Sequence, residues 1–194
     1  MTMMLGALRP LQVAYDNLDP VQAASFDAIA AGPRGAVEGP LRVLVLNPAL
    51  ADPVQNLGAY CRFGTSLPPR LAELAIIIVG AFWQAGFEWE AHAPLAERAG
   101  IDKDVIEAIR RRDEPPFIRN DEQVVHDALR ALLDQRDIPD SDYTKLIDEI
   151  GQEGAIDLVG IAGYYCLISL VINAFRVPLS HPSFTPFGSR PVRP

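Results

Sequence analysis

An all-α bundle of antiparallel helices is the fold this sequence predicts, and three observations carry the prediction. Helix start signals recur at short intervals: Asp19-Pro20, Asp52-Pro53 and Pro68-Pro69 precede segments that a glycine closes. Apolar residues inside those segments keep helical spacing, as at Leu71, Leu74, Ala75, Ile78 and Phe82. No two segments need each other as paired strands. Short loops then join neighbouring helices in antiparallel order.

The elements follow in chain order. Asp19 is placed to cap a helix that runs to Gly32, with Pro20 at its first position. "GPLRVLVLNP" reads as a short helix ended by Asn47-Pro48, because no partner strand for it is visible. Asp52-Pro53 opens the next helix, closed near Gly64. Pro68 and Pro69 suit a first helical turn, followed by the long apolar stretch "LAELAIIIVGAFW". Gly86 marks a break, and "FEWEAHAPLAERAG" follows, with Pro94 predicting a kink or a late helix start. Asp102 can cap "KDVIEAIRRR", and "DEPPF" is a loop. Residues 121–136 are amphipathic, with Val124, Val125, Ala128 and Leu132 on one side. Ser141 can cap a helix closed by Gly151, and a last helix spans about Gln152 to Phe175. Residues 1–176 thus form one helical domain. The tail 177–194 carries five prolines in eighteen residues and excludes a regular element.

Composition narrows the function classes. With 17 Lys and Arg against 25 Asp and Glu, the net charge is −8, and the footprint of a nucleic-acid binder is missing. The run "LVGIAGYYCLISLVINAF" is uncharged over eighteen residues, at the lower limit for a membrane span. Its Gly160, Gly163, Ser169 and Asn173 favour a helix at the centre of a bundle or an interface, so no membrane partner is expected. Cys61 and Cys166 stand far apart, and "MTMMLGALRP" has no secretion-signal pattern, so a reduced, cytoplasmic setting is expected.

Chemistry concentrates in "AFWQAGFEWEAHAPLAERAG". Residues four apart share a helix face, which sets Glu88 beside His92 and leaves Glu90 to solvent, near Arg98 or Lys103. A carboxylate favours imidazolium while burial opposes it, so the pair can hold a proton near neutral pH. The same pairing also occurs as an ordinary exposed helix contact. His126, among Asp121, Glu122 and Asp127, reads as a solvated residue. Three histidines without repeated ligand spacing give no reason to expect a metal or another cofactor.

"LPPRLAELAIIIVGAFWQAGFEWEAHAPLAERAGI" resembles the core signature of the carboxymuconolactone decarboxylase family, which includes the alkylhydroperoxidase D-like proteins. The resemblance extends through "GPRGAVEGPLRVLVLNPAL", "LGAYCRF" and the last helix. It implies an all-helical fold of the alkylhydroperoxidase D-like type, assembled as a trimer or hexamer, with a dimer as the alternative. Peroxidase-type members of the family carry the pattern E-x11-C-x2-C-x3-H. Laid on this chain, its glutamate is Glu73, its histidine His92, and its two cysteines Ala85 and Glu88. Without a thiolate at either position, peroxide reduction has no nucleophile.

What the resemblance leaves is the proton-handling half of the site, Glu73, Glu88 and His92, as in the decarboxylase branch. It implies a cofactor-independent lyase acting on a small cyclic carboxylated or lactone compound. His92 is the expected acid, and its replacement by alanine is expected to abolish turnover with little change in thermal stability. Trp83, Phe87, Tyr164 and Tyr165 are candidate pocket walls, and Arg70 a candidate for the substrate anion. The competing readings are a non-catalytic helical oligomer that keeps the fold and, more remotely, a thiol-dependent antioxidant protein.

Overall fold

A computed structural model describes residues 14–181 and 184–188. Eight α-helices follow a short 3-10 turn, Tyr15–Asn17, and the described residues contain no strand. The helices are α1 (Pro20–Ala31), α2 (Pro40–Leu44), α3 (Pro48–Phe63), α4 (Pro69–Phe82), α5 (Gly86–Ala99), α6 (Lys103–Arg111), α7 (Asn120–Gln135) and α8 (Asp140–Phe175). The predicted all-α class is the observed one.

Helix α4 is the axis of the molecule. Every residue from Leu71 to Ala81 is buried except Glu73, which is partly buried, and α5, α6, α7 and α8 all pack around it. A helix apolar on all sides belongs at the centre of a core. Each aliphatic side chain buried there contributes about 1.5–3 kcal/mol relative to an exposed one. Glu73 is therefore the exception on α4 that asks for an explanation.

Local signals set most boundaries. Asp19 accepts from the amides of Val21 and Gln22, and the Gln22 side chain returns a bond to the Asp19 amide, a capping box. Asp102 caps α6 through the Asp104 amide. Gly151 interrupts α8 with φ 72° and ψ 173°, where a helix stop was expected. Pro139, not Ser141, precedes its first turn.

Two expected starts are wrong, both at prolines. Helix α3 begins at Pro48 and runs through Pro53, because Ala51, Val54, Gly58 and Cys61 form one buried face that rewards extending it backwards. Asp52 does not cap; it accepts from the Ser25 hydroxyl at 2.6 Å and ties α3 to α1. Helix α5 likewise runs unbroken through Pro94. Burial of Trp89, His92 and Ala96 holds it across the lost backbone bond.

Helix α8 is long and apolar enough to cross a membrane, but 61% of its most apolar window is buried inside the fold. A buried carboxylate fastens its N-terminal part. Asp157 accepts from the Tyr60 hydroxyl at 2.6 Å, the Ser66 amide at 2.7 Å and the Ser66 hydroxyl at 2.8 Å. Burial opposes its charge, but these donors win and hold the carboxyl below the usual range.

The tail is anchored on α5. Both oxygens of the partly exposed Glu90 accept from backbone amides, those of Ser180 and His181, and so hold the tail at the surface. Phe187 meets Trp89 edge-on at 5.5 Å, and Arg110 donates to the Pro186 carbonyl.

Candidate active site

The α4–α5 turn builds the site. Gln84 takes the left-handed conformation and Ala85 is fully buried, so α5 folds straight back along α4. Glu73 on α4 then faces His92 on α5. His92 Nδ1 lies 2.7 Å from Glu73 Oε2, and Nε2 lies 2.9 Å from Glu88 Oε1, one turn earlier on its own helix. Glu88 and His92 are each 4% exposed. The three candidate proton carriers of the sequence converge on one point.

Both ring nitrogens meet carboxylates, so both donate and the ring is held as imidazolium. Burial works against that charge; Glu88 and Glu73 outweigh it and raise the His92 pKa to about 9. The shift fixes a stability window. Below pH 6.5 folded and unfolded chains both hold the proton, and the stabilisation is complete. Between pH 6.5 and about 9 only the folded chain holds it, so the contribution shrinks as pH rises and is gone above the folded pKa. Thermal midpoints taken from pH 6 to 8.5 are expected to fall through this range. The Glu73→Gln/Glu88→Gln variant is expected to lack the slope.

The triad opens into a cavity of about 170 Å³. Glu88, His92 and Phe87 come from α5, Tyr164, Tyr165 and Ile168 from α8, and Arg62 from α3. The segment between α1 and α2 closes the remaining side with Arg34 and Glu38. Drug-sized pockets begin near 300 Å³, so this space suits one small ring. A roomier hollow of about 270 Å³ lies between α5, α6 and Phe184, and another of about 80 Å³ lies beside His126. Neither sets one imidazole between two carboxylates.

The phenols are placed as neutral donors. Tyr165 meets the His92 ring edge-on at 5.3 Å and Tyr164 at 5.0 Å. Burial raises both hydroxyls, Tyr164 to about 12, so neither ionises near neutral pH. Tyr164 accepts from Arg34 Nη2 at 3.0 Å, which leaves its own proton available to donate.

Two residues expected in or near the site lie elsewhere, and a third residue is more buried than expected. Arg70 turns to α7 and forms ion pairs with Asp121 and Glu122, so its charge is spent. Trp83 ends α4 outside the cavity; its indole donates to Cys166 Sγ at 3.2 Å and its carbonyl accepts from Asn173. His126, expected to be solvated, is 7% exposed, packed on Phe117 with Nδ1 3.1 Å from Asp127. Reasoning from sequence missed Arg34, Glu38 and Arg62. The acid pair Asp121-Glu122 at a helix start was the signal that Arg70 had partners of its own.

Thiol chemistry gains no support from the geometry. Cys61 is 1% exposed on α3, and burial pushes its thiol up to about 11, far from a reactive thiolate. Cys166 sits on α8 against the Trp83 indole. Both are free thiols.

Comparison with known proteins places this geometry. No curated protein matches the sequence. Among solved structures, a peroxidase-related protein from Silicibacter sp. TM1040 superposes with a TM-score of 0.68 at 15% identity, over 87% of this chain and 90% of that one. The debrominase Bmp8, as a cysteine-to-alanine variant in complex with 2,3,4-tribromopyrrole, gives 0.69 at 16% identity, over 92% and 94%. At such identities the likeness is one of fold. Residues 48–132 match the carboxymuconolactone decarboxylase family. That region carries the turn between α4 and α5 together with Glu73, Glu88 and His92, and over it the chain is similar to the carboxymuconolactone decarboxylase family, with Ala85 and Glu88 at the two positions where the resemblance places cysteines.

Proposed function

We propose that the protein is a cofactor-independent lyase that moves a proton onto a small cyclic carboxylated or lactone compound. The observation that carries this reading is the buried Glu73–His92–Glu88 triad opening into a small cavity walled by two neutral phenols. The family match over residues 48–132 supports an enzyme-like role. The debrominase complex, in which a relative of the same fold holds one five-membered ring, supports a ligand of that size.

The role of the acid passes from His92 to Glu88, one helical turn earlier. His92 has no free nitrogen, since each already meets a carboxylate. Glu88 shares the cavity wall and therefore hands over the proton, while His92 resupplies it and Glu73 steadies the ring. In the reaction the bond between ring carbon and carboxylate breaks and CO2 leaves. Its electron pair spreads into the ring carbonyl as an enolate, to which Tyr164 or Tyr165 donates. The proton passes from His92 Nε2 to Glu88 and on to carbon; the triad regains one from water. The test is a screen of unsaturated five-membered lactone carboxylates for CO2 release and loss of ultraviolet absorbance. Absence of turnover across that set would remove the lyase reading.

We also infer that copies of the chain associate through α8. Ile156, Val159, Gly163 and Leu170 lie on one exposed, uncharged face, bounded by Glu153 and Arg176. Neither of those two forms an ion pair among the described residues. Two such helices crossing antiparallel at Gly163 set Ile156 against the second copy's Leu170 and bring acidic and basic ends together. Sedimentation is expected to show a mass above one chain, reduced by Leu170→Asp; a monomer at micromolar concentration would refute it.

A further inference from the structure

We infer that Arg34, on the segment between α1 and α2, is the anchor for an anionic group that stays on the substrate. This rests on the lyase reading for what the cavity is used for, but not for whether it binds anions.

The guanidinium is built into the cavity and left incomplete. Arg34 lines the wall, donates from Nη2 to the Tyr164 hydroxyl, and forms no ion pair among the described residues. Its Nε is buried without a hydrogen-bond partner. A guanidinium has five donors in a fixed fork suited to a carboxylate, and one neutral phenol uses only one of them. Leaving a half-buried charge and a buried donor unsatisfied is costly, so retaining them at a cavity wall points to a missing anion.

Its position is enforced by packing on both sides. Val37 is buried, and Gly39, at φ 53° and ψ −124°, lies flat on the Phe87 ring with no room for a Cβ. On α3, Gly58 leaves the space that the Tyr164 hydroxyl and Arg34 Nη2 fill; a Cβ there would overlap both. A glycine inside a helix is less favourable than alanine, so Gly58 trades helix stability for this arrangement. Arg34 and Tyr164 lie outside residues 48–132, on either side of the family region.

The charges around the cavity balance, with Arg34, Arg62 and the His92 imidazolium set against Glu38, Glu73 and Glu88, so what invites an anion is the unfilled Arg34 fork and not a net positive field. Arg62 is turned over the Phe63 ring at 5.3 Å, which leaves Arg34 as the better-oriented fork. Ion pairing stabilises a carboxylate in the ground state, and a carboxylate lost as CO2 would forfeit that stabilisation on the way to the transition state. The group held by Arg34 is therefore not the one that leaves.

The probes are 2-furoate and its uncharged counterpart 2-furamide, titrated into the full chain. The readouts are calorimetry and the NMR signals of the arginine Nε–H groups. Expected is at least ten-fold tighter binding of 2-furoate, with a shift of the Arg34 Nε–H signal in the unaltered protein. Arg34→Gln should remove that preference and leave 2-furamide binding unchanged, and Arg34→Lys should keep part of it. Equal affinity for the two probes, an unmoved Arg34 signal, no binding of either, or full preference in Arg34→Gln would each overturn the proposal. Arg34-dependent furoate binding without turnover of any lactone would sustain the anchor and remove the lyase; turnover with full affinity in Arg34→Gln would do the reverse.

Discussion

His92→Ala is expected to lower stability by about 3–5 kcal/mol, the usual effect of removing one partner from a buried ionic pair. For a chain of this size that is roughly 6–20 °C in thermal midpoint. Sequence alone suggested a replacement without structural consequence. The geometry reverses the expectation, because the imidazolium separates two carboxylates in a site where His92 and Glu88 are each 4% exposed. Its loss leaves like charges facing each other in a largely buried site, where screening is weak. The deficit should shrink as pH rises toward about 9, where the unaltered protein also loses the imidazolium. Calorimetric melts of both proteins from pH 5 to 8 check this. An unchanged midpoint at pH 7 would mean that the imidazole is not wired to both acids. Lost turnover in this variant cannot by itself be assigned to chemistry.

What the sequence made legible, and what it hid, divides along a physical line. Helix identity depends on local punctuation, and the caps at Asp19 and Asp102 and the stop at Gly151 were readable from a few neighbouring residues. The starts at Pro48 and the passage through Pro94 were not, because burial of a distant face overrode the local cost of proline. The proton carriers showed the same split. Glu88 and His92 are one turn apart and announce themselves; Glu73, nineteen residues from His92, was reached through the family pattern. Arg34 lies 130 residues from Tyr164, and nothing local in "GPRGAVEGP" marks it as a cavity residue. Arg70 illustrates the converse error. It stands three residues before Glu73, yet its long side chain reaches α7, whose acid pair takes the charge that the substrate was expected to use.

Glu88→Gln is expected to separate chemistry from folding. The amide oxygen of glutamine can accept from His92 Nε2 as the carboxylate does, so the helix face and the imidazole orientation are kept. The group that accepts a proton from His92 and gives it to carbon is gone. General acid catalysis contributes about 10²–10⁴ in rate, and kcat on whichever lactone carboxylate proves to be turned over should fall by at least about 100-fold. KM should change little, because the anion is held on the opposite wall by Arg34. Arg34→Gln should give the mirror image, a raised KM with a smaller effect on kcat. Losing one neighbouring charge also lowers the His92 pKa from about 9, since the Glu88 carboxylate is the largest influence raising it. Any residual activity should therefore fade at lower pH than in the unaltered protein. A folded Glu88→Gln protein with undiminished kcat would show that the proton reaches carbon by another route, and the Tyr165 hydroxyl, beside the His92 ring in the same cavity, would be the group to replace next.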